Sequence, residues 1–460
     1  MPLQPVCLSL NRTLEFNKHS RKIGHYHMKP KLNQITFVIA LTAIIGLNAQ
    51  AQFFTPGNLA LLRVGDGTQT LVSSGNTVFI DQYTTNGSFV NDTNLPDSGT
   101  NALIIGSASS DGGLTRAMDR SSLIIFGYNF TRGATNNSIA NAHATAVPRG
   151  IATVDASGNY MLVQSITNFF DGNNARCAVG DGTNNFWLSG ANSGTVYFNP
   201  PSAGAAVQTG VANTRYIKIV NGNLFFSTQS GAVGIYTLTK TPGTNDPVGL
   251  PTTNAGVTTN LLFATGGTSQ PIAFEINPSL TVAYVADNRT QVGGIQKWTN
   301  NVPGSTNWGL AYTLGAGTAA TGSATNNGTF GVAVDFSGAD AIIYATTAEA
   351  TSNRVVRIVD SSSSATATML AVAGSNRSFR GLDFTPELGT IVPASLTIQQ
   401  SGTNAIISWP AAAAGYTLQG NSDLSQATGW SAAGTPTVSN GSNIVTVPLT
   451  NSAQFFRLKQ

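Results

Sequence analysis

The chain is written as short apolar runs separated by small clusters of Asp, Asn, Gly and Ser, and this rhythm recurs along most of its length. The segments GIATVDASGNYMLVQS (150–165), CAVGDGTNNFWLSG (177–190), IKIVNGNLFFST (217–228), AFEINPSLTVAYVAD (273–287) and GVAVDFSGADAIIYATT (331–347) share one design. Each has an alternating apolar run, then Asp or Asn with Gly, Ser or Pro, then a second run rich in Leu, Phe, Tyr and Val. That pattern predicts a β-hairpin with turn chemistry at its centre. AMDRSSLIIFGYN (117–129) and GLDFTPELGT (381–390) are looser copies. A further strand often follows, as in GTVYFNP (194–200), VGIYTLTK (233–240), GGIQKWT (293–299) and RVVRIVD (354–360).

The copies recur on average about every 44 residues from Ala117, close to the ~40–50 of propeller blades. A four-stranded unit of this size cannot bury both faces alone, so neighbouring units must stack and close into a ring. GNLALLRVG (57–65) and TVFIDQY (77–83) are expected to complete the last blade beside GLDFTPELGT, which protects an otherwise open edge. The fold class expected is all-β: a β-propeller over 53–392, with seven blades favoured and six or eight left open. After Pro393, strands such as ASLTIQQSG, NAIISWPAA, GYTLQGNSDL and AQFFRLKQ predict a small β-sandwich of fibronectin type III or immunoglobulin-like shape over 393–460. Trp409, Tyr416, Trp430 and Phe455 are most simply its core aromatics; Trp409 and Trp430 are also candidates for stacking on a carbohydrate.

Composition agrees with this class. Only 9% of residues are charged, 41% are hydrophobic, and glycine supplies 49, a balance that argues against disorder. The start of the chain carries a different message. Met28-Lys29-Pro30-Lys31, the apolar run ITFVIALTAIIGL (35–47) and Ala49-Gln50-Ala51 match the three regions of a secretory signal peptide at 28–51, with cleavage after Ala51. The run is shorter than the ~20 residues needed to span a bilayer. Residues 1–27 read as an upstream extension, with Met28 as the start. The segment before residue 52 holds six Lys and Arg against one Glu; without it, 17 basic face 19 acidic residues, so the whole-chain charge of +3 is no argument for nucleic acid. Cys177 is the one cysteine left after the leader, which excludes an internal disulfide framework and marks a small buried hydrophobe. The expected location is secreted, at the cell surface or in the periplasm, with no membrane span after cleavage.

The order of signal peptide, FFTPGNLALLRVGDG, repeats and a terminal ISWP, GYTLQGNSDL, GW and FFRL module resembles uncharacterised secreted β-propeller proteins of Verrucomicrobia-type bacteria. The resemblance covers most of the chain after residue 52. It implies a generic C-terminal sandwich module and brings no catalytic motif.

The chemistry is sparse. His143 is the one histidine outside the leader, so a histidine metal cluster is excluded and a Ser–His–Asp triad would have to use it. VGDG at 64–67 and 179–182 precedes no helix and reads as a turn. Asp335-Phe336-Ser337-Gly338-Ala339-Asp340 lacks the alternating oxygens and terminal Glu of a calcium loop. No metal or cofactor is expected. Arg116, Arg149, Arg176, Arg215 and Arg380 each stand three to six residues before the Asp or Asn of a repeat (Asp119, Asp155, Asp181, Asn221, Asp383). They are candidate clips that pair with acids of neighbouring blades, or a ring at one channel mouth that suits carboxylate or sulfate groups. The expected function is a non-enzymatic extracellular protein that presents a rigid propeller face to a polysaccharide or protein. The alternative is a lyase or hydrolase acting on extracellular polysaccharide, with acids in the channel.

Overall fold

The computed structural model describes residues 53–244, 246–302, 307–317, 327–387, 396–410, 416–423, 429–439, 442–448 and 454–459. The expectations for 1–27 and for the leader at 28–51 lie outside the described residues. Among the described residues every regular element is a strand, and no helix is long and apolar enough to cross a membrane.

Six four-stranded antiparallel sheets build the ring. Blade 1 joins the two ends of the propeller sequence: its innermost strand, Ser378–Phe384, pairs with Leu59–Val64, followed outward by Val78–Tyr83 and Phe89–Asn94. Blade 2 runs outward through Leu114–Arg116, Ser122–Tyr128, Arg149–Asp155 and Tyr160–Ile166. Blade 3 is Ala175–Gly180, Phe186–Gly190, Thr195–Phe198 and Ala205–Gln208, and blade 4 is Thr214–Val220, Asn223–Thr228, Gly234–Thr239 and Thr258–Ala264. Blade 5 is Pro271–Ile276, Val282–Asp287, Gly294–Asn300 and Trp308–Leu314; blade 6 is Thr329–Asp335, Ile342–Thr347, Arg354–Val359 and Thr368–Val372. Each innermost strand packs against the next, and that of blade 6 packs against that of blade 1, so the ring is closed.

The count is therefore six, and the favoured seven is corrected. GIATVDASGNYMLVQS is the outer hairpin of blade 2, the register pairing Arg149–Asp155 with Tyr160–Ile166, and begins no blade of its own. Inner and outer hairpins have the same local chemistry, so the repeat pattern alone counts this one as a blade. In four of these hairpins a side-chain oxygen at the end of the first strand accepts backbone N–H groups in the turn. Asp155 Oδ1 accepts from Ser157 and Asn159 at 2.9 Å, Asp181 Oδ1 from Thr183 at 2.7 Å, Asn277 Oδ1 from Thr281 at 2.8 Å and Asp335 Oδ1 from Ser337 at 2.9 Å. This is the Asx-turn use of Asp and Asn. The closure expected of 57–65 and 77–83 with the segment from Gly381 is present as blade 1, through Ser378–Phe384; residues 388–390 of that segment lie outside the described residues.

Burial falls from the axis outward. The innermost strands Ala175–Gly180 and Pro271–Ile276 and the second strand of blade 1, Leu59–Val64, are buried at every position, because both faces of a strand near the axis lie against neighbouring blades. The outermost Phe89–Asn94 is largely exposed, and the outermost Thr368–Val372 has no fully buried position. Residues such as Phe126, Trp187, Phe226, Phe274 and Tyr284 fill the space between blades, each burial contributing roughly 1.5–3 kcal/mol. Cys177 lies in an innermost strand, fully buried, and burial pushes its thiol up to about 12; it packs as the apolar residue the sequence suggested.

The C-terminal region holds two further sheets. One runs Thr397–Ser401, Asn404–Pro410, Ser442–Pro448, Thr437–Ser439, and the other Ser431–Ala432, Thr417–Asn421, Phe455–Lys459. Ala405, Ile407, Trp409, Leu418 and Val445 form their shared core. Trp409 is only 2% exposed, so it cannot stack on a carbohydrate. That candidate role is corrected: the alternation of NAIISWP places Trp409 on the inward face with Ile407 and Ala405. Trp430 is half-buried with the Arg457 guanidinium over its ring at 4.2 Å.

Candidate functional site at the ends of the channel

The innermost strands all run the same way along the axis. Residues near their starts (Arg215, Ile272, Phe330, Arg380) line one cavity, and residues near their ends (Arg116, Lys218, Glu275, Val334, Asp383) line another. The channel thus has two chemically different ends.

At the strand-end mouth a cavity of about 290 Å³ opens over a charged floor. Lys218 lies at its centre. Its ammonium donates to Asp383 Oδ2 at 3.0 Å and to Glu275 Oε1 in a shorter contact, joining blades 4, 1 and 5. The Arg116 backbone N–H donates to Asp383 Oδ2 at 2.9 Å, and its guanidinium donates to Thr385 O at 3.1 Å and Glu387 Oε1 at 3.0 Å. Burial pushes the Glu275 carboxyl up to about 7, against the pull of Lys218. Burial acts the same way on Asp383, but Lys218, Arg116 and the Arg116 N–H outweigh it and leave that carboxyl below its ordinary value. Burial alone would lower Lys218; the two acids more than reverse this. Phe336 and Phe384 supply aromatic wall, Met118, Val220 and Ile276 apolar wall, and Asn221 a polar rim.

Phe336 belongs to the DFSGAD turn, and it also borders a second cavity of about 250 Å³ between blades 5 and 6. There Asp360 accepts from Lys297 at 2.7 Å and from Tyr312 at 2.8 Å, and also from Tyr284. Among the described residues no group of His, Cys, Asp or Glu is placed to hold a metal ion. Asp335 is occupied by its own turn, so the stretch is a hairpin that contributes an aromatic wall. His143 pairs with Asp171 at 3.0 Å on an exposed loop.

The five arginines do not ring one mouth. Arg116, last residue of its short strand, is at the strand-end mouth. Arg176, Arg215 and Arg380, near the starts of theirs, gather at the opposite end. Arg149 is in the third strand of blade 2, away from the channel, and donates to Val147 O at 2.6 Å, Asn173 O at 2.8 Å and Ala140 O at 2.9 Å. Its acceptors are carbonyls and not the acids of a neighbouring blade. Arg149→Leu is expected to cost about 2–3 kcal/mol in denaturant titration by stranding three carbonyls, with ligand affinity at the mouth unchanged.

Sequence reasoning missed the Lys218–Glu275–Asp383 cluster. The available signal was a charge set between two apolar residues near the end of an innermost strand, as in the IKI of TRYIKIV, the FEI of PIAFEI and the LDF of SFRGLDF.

No family model and no curated protein matches the chain. Among solved structures it is similar to a provisionally assigned 6-phosphogluconolactonase of Bacteroides fragilis, at 13% identity over 87% of this chain and 98% of that one, TM-score 0.40. It is also similar to a periplasmic gluconolactonase of Pseudomonas aeruginosa, at 12% identity over 86% and 99% of the two chains, TM-score 0.39. A gluconolactonase of Xanthomonas campestris shares 9% identity over 77% and 93%, TM-score 0.38.

Proposed function

We propose that the protein is an exported, non-enzymatic binding protein whose strand-end channel mouth holds a hydroxyl-rich ligand, a segment of extracellular polysaccharide. The observation that carries this reading is the mouth itself: donors and acceptors of both signs, fixed by burial and mutual pairing, beneath aromatic and apolar walls. Sugars are recognised by that combination, hydroxyls bonding to fixed charged groups and ring faces covering aromatic surface. The sandwich serves as spacer or attachment module, and the leader directs export.

The polysaccharide-cleaving alternative draws support from Glu275, a buried carboxyl raised to about 7 beside a lowered Asp383, the divergence that acid/base pairs display. The geometry weighs against it. Glycoside cleavage needs two carboxyl groups about 5–9.5 Å apart with the scissile bond between them, and here the space between Glu275 and Asp383 is filled by the Lys218 ammonium. The test is to incubate the chain from Gln52 onward with a polysaccharide panel, measuring retention on the polymer and release of reducing ends or unsaturated products. Retention without release is expected. Release lost in Glu275→Gln would replace binding by catalysis, and neither retention nor release would leave a protein partner.

A further inference from the structure

At the strand-start end of the channel three guanidinium groups share one buried carboxylate. Arg380 is 2% exposed and Arg176 5%. Asp111 is 2% exposed and already engaged by Tyr128 Oη at 3.1 Å, Asn174 Nδ2 at 3.0 Å and Ser110 Oγ at 3.2 Å. Arg176 spends one nitrogen on Thr214 O at 2.7 Å and on Asn213 Oδ1, and Arg380 one on Ser107 O at 3.2 Å. Left over, buried and without a hydrogen-bond partner among the described residues, are Arg380 Nε and Nη1, Arg215 Nε and Arg176 Nε. Arg380, Arg215 and Asp111 border a cavity of about 20 Å³, enough for one or two water-sized occupants.

Buried N–H groups of charged side chains are costly without an acceptor, and a surplus of two positive charges in a low-dielectric site is costlier still. The strain shows in the groups themselves: burial, then repulsion from Arg215, holds Arg176 down to about 9, and burial holds Arg380 down to about 10. Asp111 is the carboxylate that opposes this for all three.

We infer that this end of the channel binds a small monovalent anion of chloride size, held by Arg380 Nε and Nη1 with Arg215 and fastening blades 1 and 4 across the axis. The cavity has room for an ion of about water size, and the low local dielectric strengthens each contact. The site is at the opposite end from the mouth proposed for polysaccharide, so either reading stands if the other fails.

The experiment has two arms. The thermal midpoint of the chain from Gln52 onward is followed as sodium chloride replaces sodium methanesulfonate at constant ionic strength, and crystals grown in sodium bromide are examined for anomalous scattering. Expected are a midpoint that rises with chloride, as linkage requires of a ligand bound to the folded state, loss of that rise in Arg380→Met, and a bromide peak within hydrogen-bond distance of Arg380. Should Arg380→Met fail to fold, the chloride titration and the bromide peak of the unaltered protein decide. Equal midpoints in the two salts overturn the inference, as does the absence of a peak. A peak without any chloride dependence marks an adventitious ion only, and overturns it too.

Discussion

Lys218→Met is expected to destabilise the propeller by about 3–5 kcal/mol in urea titration, the loss typical when one partner of a buried ion cluster is removed. The side chain is 14% exposed, and its partners Glu275 and Asp383 11% and 5%, so the loss of the ammonium leaves two largely buried acids side by side without their shared counter-charge. Because Lys218 ties three blades through their innermost strands, the loss is felt across the axis rather than within one sheet. The same cluster sets a pH dependence. Burial raises the Glu275 carboxyl to about 7, so the folded state holds that proton more tightly than the unfolded chain does. Its contribution is present in full below the unfolded value near ~4.3 and is lost as pH rises through about 7. Asp383, lowered, works in the opposite sense and at more acid pH: its contribution is present above its unfolded value and is lost as pH falls through the lower folded one. Stability is therefore expected to decline from pH 5 to pH 8 in the native sequence, and to be level over that interval in Glu275→Gln. Equal slopes in the two proteins would mean that Glu275 is not the titrating group.

Gly381→Ala carries the second large effect, about 3 kcal/mol of lost stability. A Cβ at Gly381 would lie 2.2 Å from Leu114 N and 2.9 Å from Gly112 O. Both are backbone atoms, which no rotamer change can move aside. The contact lies where the innermost strands of blades 1 and 2 meet, and the Gly381 N–H donates to Gly112 O at 2.9 Å there. Overpacking at such a point forces the strands apart, and in a ring that displacement opposes closure. Gly309→Ala, in the outermost strand of blade 5, would place its methyl with nothing within 4 Å, and should change stability by less than ~0.5 kcal/mol. Similar urea midpoints for the two variants would contradict the close approach at the axis.

The hairpins were legible because their determinants are local: an Asp or Asn bonds to N–H groups two to four residues on, and the strands beside it alternate. The joining of Leu59–Val64 with the strand that ends at Phe384 was legible from the need to cover an edge. What local pattern could not supply was rank within a blade. Asp155 makes the same turn as Asp335, yet one heads an outer hairpin and the other an inner one, and the difference lies in which strands meet the axis. The arginines show the same limit. Their spacing to the following Asp or Asn is visible in the sequence, but position within the strand decides the end of the channel: Arg215 is second in its strand and Arg116 last in a strand of three. Lys218, Glu275 and Asp383 are separated by 57 and 108 residues, and only the closed ring makes them neighbours.

The central claim is that the strand-end mouth is where ligand binds. Its most direct test is calorimetric titration of the best-retained oligosaccharide against the unaltered protein, Phe336→Ala and Trp430→Ala. An aromatic wall contributes about 0.5–1.5 kcal/mol to such a contact, so affinity should fall roughly threefold to tenfold in Phe336→Ala and remain unchanged in Trp430→Ala. Undiminished affinity in Phe336→Ala, with loss in Trp430→Ala, would place recognition on the sandwich and contradict the account.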